Sequence, residues 1–158
     1  MQKDSNTNSC IILKGALEMA LNSAKDNELV EYRHRKNTVV TAGRRWVLER
    51  IQSASPPSTT IDSMAIGVST SSLGTDDTAL VDENTRKTIG TFTTTNLTSN
   101  PPSWVAQVSW ATDEAQTTLG EVGLFNSSSG GTMLARATFA TINKASTNTL
   151  SISYTLSN

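Results

Sequence analysis

Residues 121–139 read EVGLFNSSSGGTMLARATF, and this stretch decides the fold. Two apolar runs lie on either side of Gly130-Gly131, and a diglycine can adopt the positive φ angles that tight hairpin connections need. A third run, residues 150–156, alternates Leu, Ile, Tyr and Leu with Ser and Thr, which is the period of a half-buried strand. Together the three runs predict an antiparallel meander.

Upstream, the run Ile11–Leu21 fits two kinds of secondary structure. Its apolar residues form a helical stripe, but every second residue from Leu13 onward also falls on one face of a strand. The residues Lys25-Asp26-Asn27 are typical of a turn, and Leu29–Arg35 then alternates as a strand does. Because a hairpin explains both runs, we predict two strands here, the second ending at Asn37–Val40.

One long helix is predicted over residues 42–52. Thr41 can cap its first turn, and Pro56-Pro57 ends the helical stretch in a loop, because proline lacks a backbone N–H. Three apolar positions of this helix share one face: Trp46, Val47 and Ile51.

The remaining strands are short and are separated by loops rich in Ser, Thr and Pro. We predict strands at Ser63–Val68, at Lys87–Leu97 with a bulge, and at Trp104–Trp110, with loops at Ser69–Asp77 and Asn100–Pro102. Eight or nine strands at this spacing, with one helix, predict an all-β fold: an antiparallel β-sandwich or jelly-roll-like domain with an N-terminal hairpin.

The same alternation predicts which side chains are buried. Five residues occupy the apolar face of their strands and are expected to be largely buried: Trp104, Trp110, Ile152, Tyr154 and Leu156. Residues 1–9 are polar after Met1, so we predict a flexible N-terminal arm there and a single β-rich domain over residues 10–158.

Composition limits the classes of function. Charged residues are 17% of the chain and the net charge is −1, so the chain has no overall positive charge to attract nucleic acid or an anionic membrane. One cysteine and one histidine leave little material for a soft-ligand metal site, and we expect no cofactor and no metal. The N-terminus does not resemble a signal peptide and no run approaches transmembrane length, which indicates synthesis in a cytoplasm.

Acidic residues supply the first candidates for chemistry. The pairs Asp76-Asp77 and Asp82-Glu83 could supply the paired carboxylates of a glycosidase or the oxygen ligands of a calcium site. Adjacent Asp residues point to opposite sides of an extended chain, however, and the spacing is not that of a calcium loop, so a solvated acidic loop is the better interpretation. We expect Asp82 or Glu83 to pair with Arg86, and Asp113-Glu114 offers no stronger case.

Other candidates also favour structural roles. His34 lies within a basic run and has no assignable catalytic partner, and Cys10 is expected to be a small buried residue. Gly120 and Gly123 are too sparse for a phosphate-binding loop and indicate a bulge or a close strand approach. We therefore predict no catalytic, cofactor-binding or metal-binding residues.

Glu121 is the least ordinary of the acidic residues, because it lies among apolar residues inside a strand. A carboxylate in such a place needs a partner, and Arg136 on the neighbouring strand is the preferred one. We expect this ion pair to be structural.

Several motifs carry a resemblance to a known family: EVGLF at 121–125, GGTMLARATF at 130–139, INK at 142–144 and SISYTL at 151–156, with AIGVST and GTDDTAL at 65–70 and 74–80. The chain resembles, over nearly its whole length, a family of small structural proteins in the virions of tailed bacteriophages, grouped with tail, collar or fibre components. That family also begins with a hairpin.

The resemblance implies a non-enzymatic virion protein, made in the host cytoplasm and assembled in several copies at the neck or tail. Its partners are then other virion proteins and copies of itself, with no nucleic acid and no membrane. Two alternatives stay open. One is a capsid-decorating protein on the head, and the other is a receptor- or carbohydrate-binding module that uses the loops Ser69–Asp77 and Asn126–Gly131, although neither loop contains Trp or Tyr for stacking on a sugar.

Overall fold

The structure is a computed structural model, and it describes residues 13–53, 60–93 and 102–157. The elements in these residues are, in chain order, β1 (Lys14–Ser23), β2 (Leu29–Lys36), β3 (Thr38–Val39), α1 (Thr41–Gln52), β4 (Ser63–Gly67), β5 (Glu83–Thr88), β6 (Thr91–Thr93), β7 (Ser103–Trp110), β8 (Thr118–Phe125), β9 (Met133–Asn143) and β10 (Asn148–Ser157).

The strands form two five-stranded sheets. The first has the order β2-β1-β10-β7-β6 and the second the order β3-β9-β8-β4-β5, and each described pairing is antiparallel. The apolar faces of both sheets contribute to one buried cluster, as in a sandwich. The prediction of an all-β antiparallel sandwich with an N-terminal hairpin and one helix is confirmed.

The diglycine turn is confirmed, but the predicted three-stranded meander is wrong. Gly130 and Gly131 have φ angles of 60° and 74°, and β8 pairs with β9. The next strand, β10, instead pairs with β1 and β7 in the first sheet. Two backbone hydrogen bonds hold the connection between β9 and β10. Lys144 N–H donates to Thr117 O at 3.0 Å, and Ala24 N–H donates to Thr147 O at 2.8 Å.

Two other predicted strands also divide between the sheets. Residues 38–39 do not extend β2; they form β3, which pairs with Ala135 and Arg136 of β9. The predicted strand from residue 87 ends at Thr88 in the second sheet, and β6 begins at Thr91 in the first. The irregular pattern at residues 89–92 therefore marks a crossing between sheets and not a bulge. The remaining part of that prediction, residues 94–97, lies outside the described residues, as does Pro56-Pro57.

The helix lies where it was predicted, but its ends and one face differ. Thr41 is its first residue and not its cap, since Val40 holds the cap position and no side chain caps the helix. Trp46 and Val47 pack against the core, whereas Ile51 is 70% exposed. The helix contacts β9, and Ile51 in its last turn points away from the core.

The predicted core is confirmed for three residues of five. Trp110, Ile152 and Tyr154 are fully buried, and the pKa of Tyr154 is raised by its burial. Trp104 and Leu156 are only half-buried, because they line an apolar groove described below.

Replacing Ile152 by Ala should lower the free energy of unfolding by about 2–5 kcal/mol, because the change leaves a cavity in a packed core. Urea denaturation measures this loss. Ser151→Ala on the exposed face of the same strand is the control, with an expected change within about 0.5 kcal/mol. A loss of that small size for Ile152→Ala would contradict the packing of β10.

Candidate functional site

Glu121 on β8 and Arg136 on β9 form a buried ion pair. The Arg136 side chain is 1% exposed and that of Glu121 is 0% exposed, and their charged atoms lie 2.8 and 2.9 Å apart. The predicted pairing is therefore confirmed. Taking two charges out of water is costly unless every charged atom finds a partner, so the surroundings of this pair matter.

Both side chains also hold the loop of residues 69–82. The Glu121 carboxylate accepts bonds from the backbone N–H groups of Val81 at 3.1 Å and Asp82 at 2.8 Å. The Arg136 guanidinium donates to Asp77 Oδ2 at 2.7 Å and to the carbonyl oxygen of Ser72 at 3.3 Å. A loop with little apolar content is thus fastened to the sheet by charge-assisted hydrogen bonds.

Glycines allow the loop to approach the sheet. A Cβ atom on Gly120 would lie 2.7 Å from Ser69 O, and one on Gly67 would lie 2.4 Å from Asp82 O. The pairing of β8 with β9 also shifts register between Leu119 and Glu121. The prediction of a bulge or a close strand approach is confirmed for the bulge at Gly120, whereas the close approach there is to the loop and not to a strand.

The acidic pair of this loop has two structural roles. Asp77 accepts bonds from Arg136 and from the Gly74 N–H, and the latter, more than the guanidinium, holds the pKa of Asp77 below its ordinary value of 3.8. Asp76 accepts a bond of 2.9 Å from the Thr41 hydroxyl at the start of α1. Among the residues that the structure describes, no three His, Cys, Asp or Glu side chains come together in a way that could hold a metal ion.

Two further candidate carboxylates, those of Glu83 and Glu114, form ion pairs. Glu83 binds Arg86 at 2.6 Å, as expected, and Arg86 donates to Ser127 O and Gly130 O in the β8–β9 turn. Glu114 binds Lys87 at 2.8 Å, and the pKa of Glu114 is lowered mainly by this bond.

Lys144 was missed by sequence reasoning. It is buried and donates to Ala111 O at 2.6 Å, and burial lowers its pKa. His34 is exposed on β2 and Cys10 lies outside the described residues.

An apolar groove of about 500 Å³ opens at the end of the sandwich beside α1. Its walls come from both sheets, from the helix and from the segment before β4: Leu13, Val39, Trp46, Val47, Thr60, Ile61, Phe92, Trp104, Leu134 and Leu156. The rings of Phe92 and Trp104 lie 5.3 Å apart on one wall. Thr60 alone among these residues has a polar side chain, so the groove favours apolar contact and offers no set of groups for catalysis.

A second apolar surface lies on β2, one of the two edge strands of the first sheet. Leu29 is 60% exposed, Val30 57% and Tyr32 48%. Alternation predicted this strand but not this exposure, because the period of a strand does not tell which strand is at the edge of a sheet.

Comparisons of the chain with protein-family models, with curated proteins and with solved structures found no match in any of the three. Within the described parts of the chain, no helix has the length and apolar character needed to cross a membrane.

Removing the Glu121 carboxylate should destabilise the fold strongly. Glu121→Ala leaves Arg136 buried without its main partner and leaves two backbone N–H groups unbonded, so we expect a loss of about 3–5 kcal/mol in urea denaturation. Glu49→Ala, which breaks the exposed Arg45–Glu49 pair on α1, is the matched control and should cost less than about 1 kcal/mol. Equal losses in the two variants would show that the buried pair does not hold the loop.

The lowered pKa of Asp77 predicts a dependence of stability on pH. A carboxyl whose pKa is lower in the folded state contributes stability above its unfolded pKa, and this contribution is lost as pH falls through the lowered pKa. The difference in unfolding free energy between the wild type and Asp77→Asn should therefore be constant above about pH 5 and shrink below pH 3.8. Urea melts at several pH values measure this difference, and a difference that persists unchanged to about pH 2 contradicts the assignment.

Proposed function

We propose that this chain is a non-enzymatic structural component of a tailed-phage particle, present in several copies at the neck or tail. The observation that carries the proposal is the outer edge of β2, which has no partner strand among the described residues and exposes the side chains of Leu29, Val30 and Tyr32. A sheet edge without a partner strand is a template for pairing with another chain. Here it is a surface for assembly.

The internal use of the polar side chains supports a structural role. Most of the acidic residues that suggested chemistry form ion pairs or loop contacts: Asp76 with Thr41, Asp77 and Glu121 with Arg136, Glu83 with Arg86, and Glu114 with Lys87. Groups committed in this way stabilise loops and are not poised to bind or convert a substrate.

The sequence motifs favour the phage particle as the place of assembly. EVGLF and GGTMLAR, which carry the resemblance to virion proteins, form the β8–β9 hairpin of the second sheet. They include Glu121 and Arg136, so the resemblance rests on residues that fix the loop of residues 69–82 as well as on the strands.

The proposal is tested by quantitative mass spectrometry of purified virions of the phage that encodes the chain. A structural protein of the neck or tail should co-purify with intact particles in a fixed copy number that matches one ring or a few rings. A copy number comparable to that of the major capsid protein would instead place the chain on the head as a decorating protein. Absence from intact particles would contradict a structural role in the virion.

A further inference from the structure

No strand of the described residues pairs with the outer edge of β2, and the backbone there presents regular hydrogen-bonding groups. Ser23 N–H bonds to Glu28 O, and Gly15 O accepts from Asn37 N–H, so odd-numbered residues of β1 direct their backbone groups toward β2. The odd-numbered residues 31, 33 and 35 of β2 stand opposite residues 21, 19 and 17 of β1 and bond to them. Tyr32 and His34 consequently direct their N–H and C=O groups outward.

Side chains of the same strand confirm this direction. The carbonyl oxygens of Tyr32 and His34 accept bonds from the guanidinium groups of Arg33 and Arg35, at 3.1 and 3.2 Å. The Arg35 side chain is exposed and that of Arg33 is half-buried, and both reach carbonyl groups on the side of the strand that faces away from β1.

The charges of this edge are divided into two halves. Acidic residues precede Tyr32, at positions 28 and 31, and basic residues follow it, at positions 33, 35 and 36. A strand with this arrangement is complementary to a second copy of itself that runs antiparallel, because reversal brings each acidic half against a basic half.

We propose that two copies of this chain pair through β2, antiparallel about a twofold axis at Tyr32, and so join their first sheets into one continuous sheet. In this register Tyr32 faces its own copy, Glu31 faces Arg33, and Val30 faces His34. The occupant of the edge is a second copy.

Neighbouring registers with the same backbone parity are disfavoured by charge. A twofold axis at Glu31 places two carboxylates opposite each other, and an axis at Arg33 places two guanidinium groups opposite each other. Only the register centred on Tyr32 opposes unlike charges on both sides of the axis. Glu31 and Arg33 already contact each other within one strand, so the dimer gathers two such pairs into a network of four alternating charges.

An irregularity limits the length of the contact. The pairing of β1 with β2 shifts by one residue between Leu21 and Asn22, opposite Val30, and this bulge twists the strand beyond that point. The proposed ladder is therefore short and centred on residues 30–34. In this twofold contact each copy pairs through the same edge, so neither copy has that edge open for a further chain. The contact therefore yields dimers and not filaments.

This inference rests on the proposed function only in taking the chain to act in several copies, and its test is made in solution on the full chain. Light scattering coupled to size exclusion should give a mass of about twice the 16.9 kDa of one chain. Glu31→Arg and Arg33→Glu should each raise the dimer dissociation constant at least about tenfold, because each gathers four like charges at the axis. The double variant Glu31→Arg/Arg33→Glu should restore the dimer, since exchange of the two charges keeps them complementary.

A third variant and a control separate dimerisation from folding. Tyr32→Pro removes a backbone N–H that faces the free edge and not β1, so it should abolish the dimer and leave the circular dichroism spectrum unchanged. Arg45→Glu on the exposed face of α1 is the matched charge reversal and should leave the mass at that of the dimer.

Three results would overturn the inference: a monomer at every concentration, a dimer unaffected by changes in β2, or a double variant no better than the single ones. The virion measurement stands apart from these results. A chain that is monomeric in solution but present in particles at a fixed copy number would contradict the dimer and support the proposed function. A chain that dimerises in solution but is absent from particles would support the dimer and contradict the proposed function.

Discussion

The Glu121–Arg136 pair is the constraint on which the arrangement of the second sheet depends. Each charge is buried, and each would be costly alone, so the two strands that carry them must stay in register and the loop of residues 69–82 must stay close. Through Asp76 and Thr41 the same loop reaches the first turn of α1. One ion pair thus links a hairpin, a long loop and the only helix of the described residues. This explains how a loop composed largely of Ser, Thr, Gly and Asp is held in one conformation without an apolar core of its own.

Much of the fold could be predicted from the sequence because the period of two survives wherever one face of a strand is buried. Residues 150–156 and 104–110 show that alternation, and both stretches form strands with the expected inner faces. The sheet to which a strand belongs is not encoded in its period. Alternation alone therefore predicts that the strands near residues 37 and 88 continue and that β10 joins the hairpin before it. In the structure the chain crosses to the opposite sheet after residues 37, 88 and 144.

The ion pair could be predicted because Glu121 and Arg136 lie among apolar residues on two strands joined by a recognisable turn. The same apolar surroundings make each charge costly to bury alone. The groove was not predictable because residues distant in sequence form it, and the position of β2 at an edge was not predictable because it depends on the order of the strands in the sheet. Trp104 and Leu156 follow the apolar pattern of buried residues, but their neighbours at the end of the sandwich leave space beside them. The exposure of such a side chain depends on its neighbours in space, whereas a sequence pattern gives only its residue type and spacing.

The buried ion pair and the exposed apolar side chains of β2 differ in what a partner could add to them. The Glu121–Arg136 pair fixes a loop internally, whereas the side chains of Leu29, Val30 and Tyr32 face solvent on β2, an edge strand of the first sheet. The buried charges of Glu121 and Arg136 are already paired with each other and gain little from a partner, but exposed apolar area next to outward-facing backbone groups gains both hydrophobic and hydrogen-bond energy when it is covered. The association that we propose therefore uses β2 and leaves the buried ion pair of the second sheet unchanged.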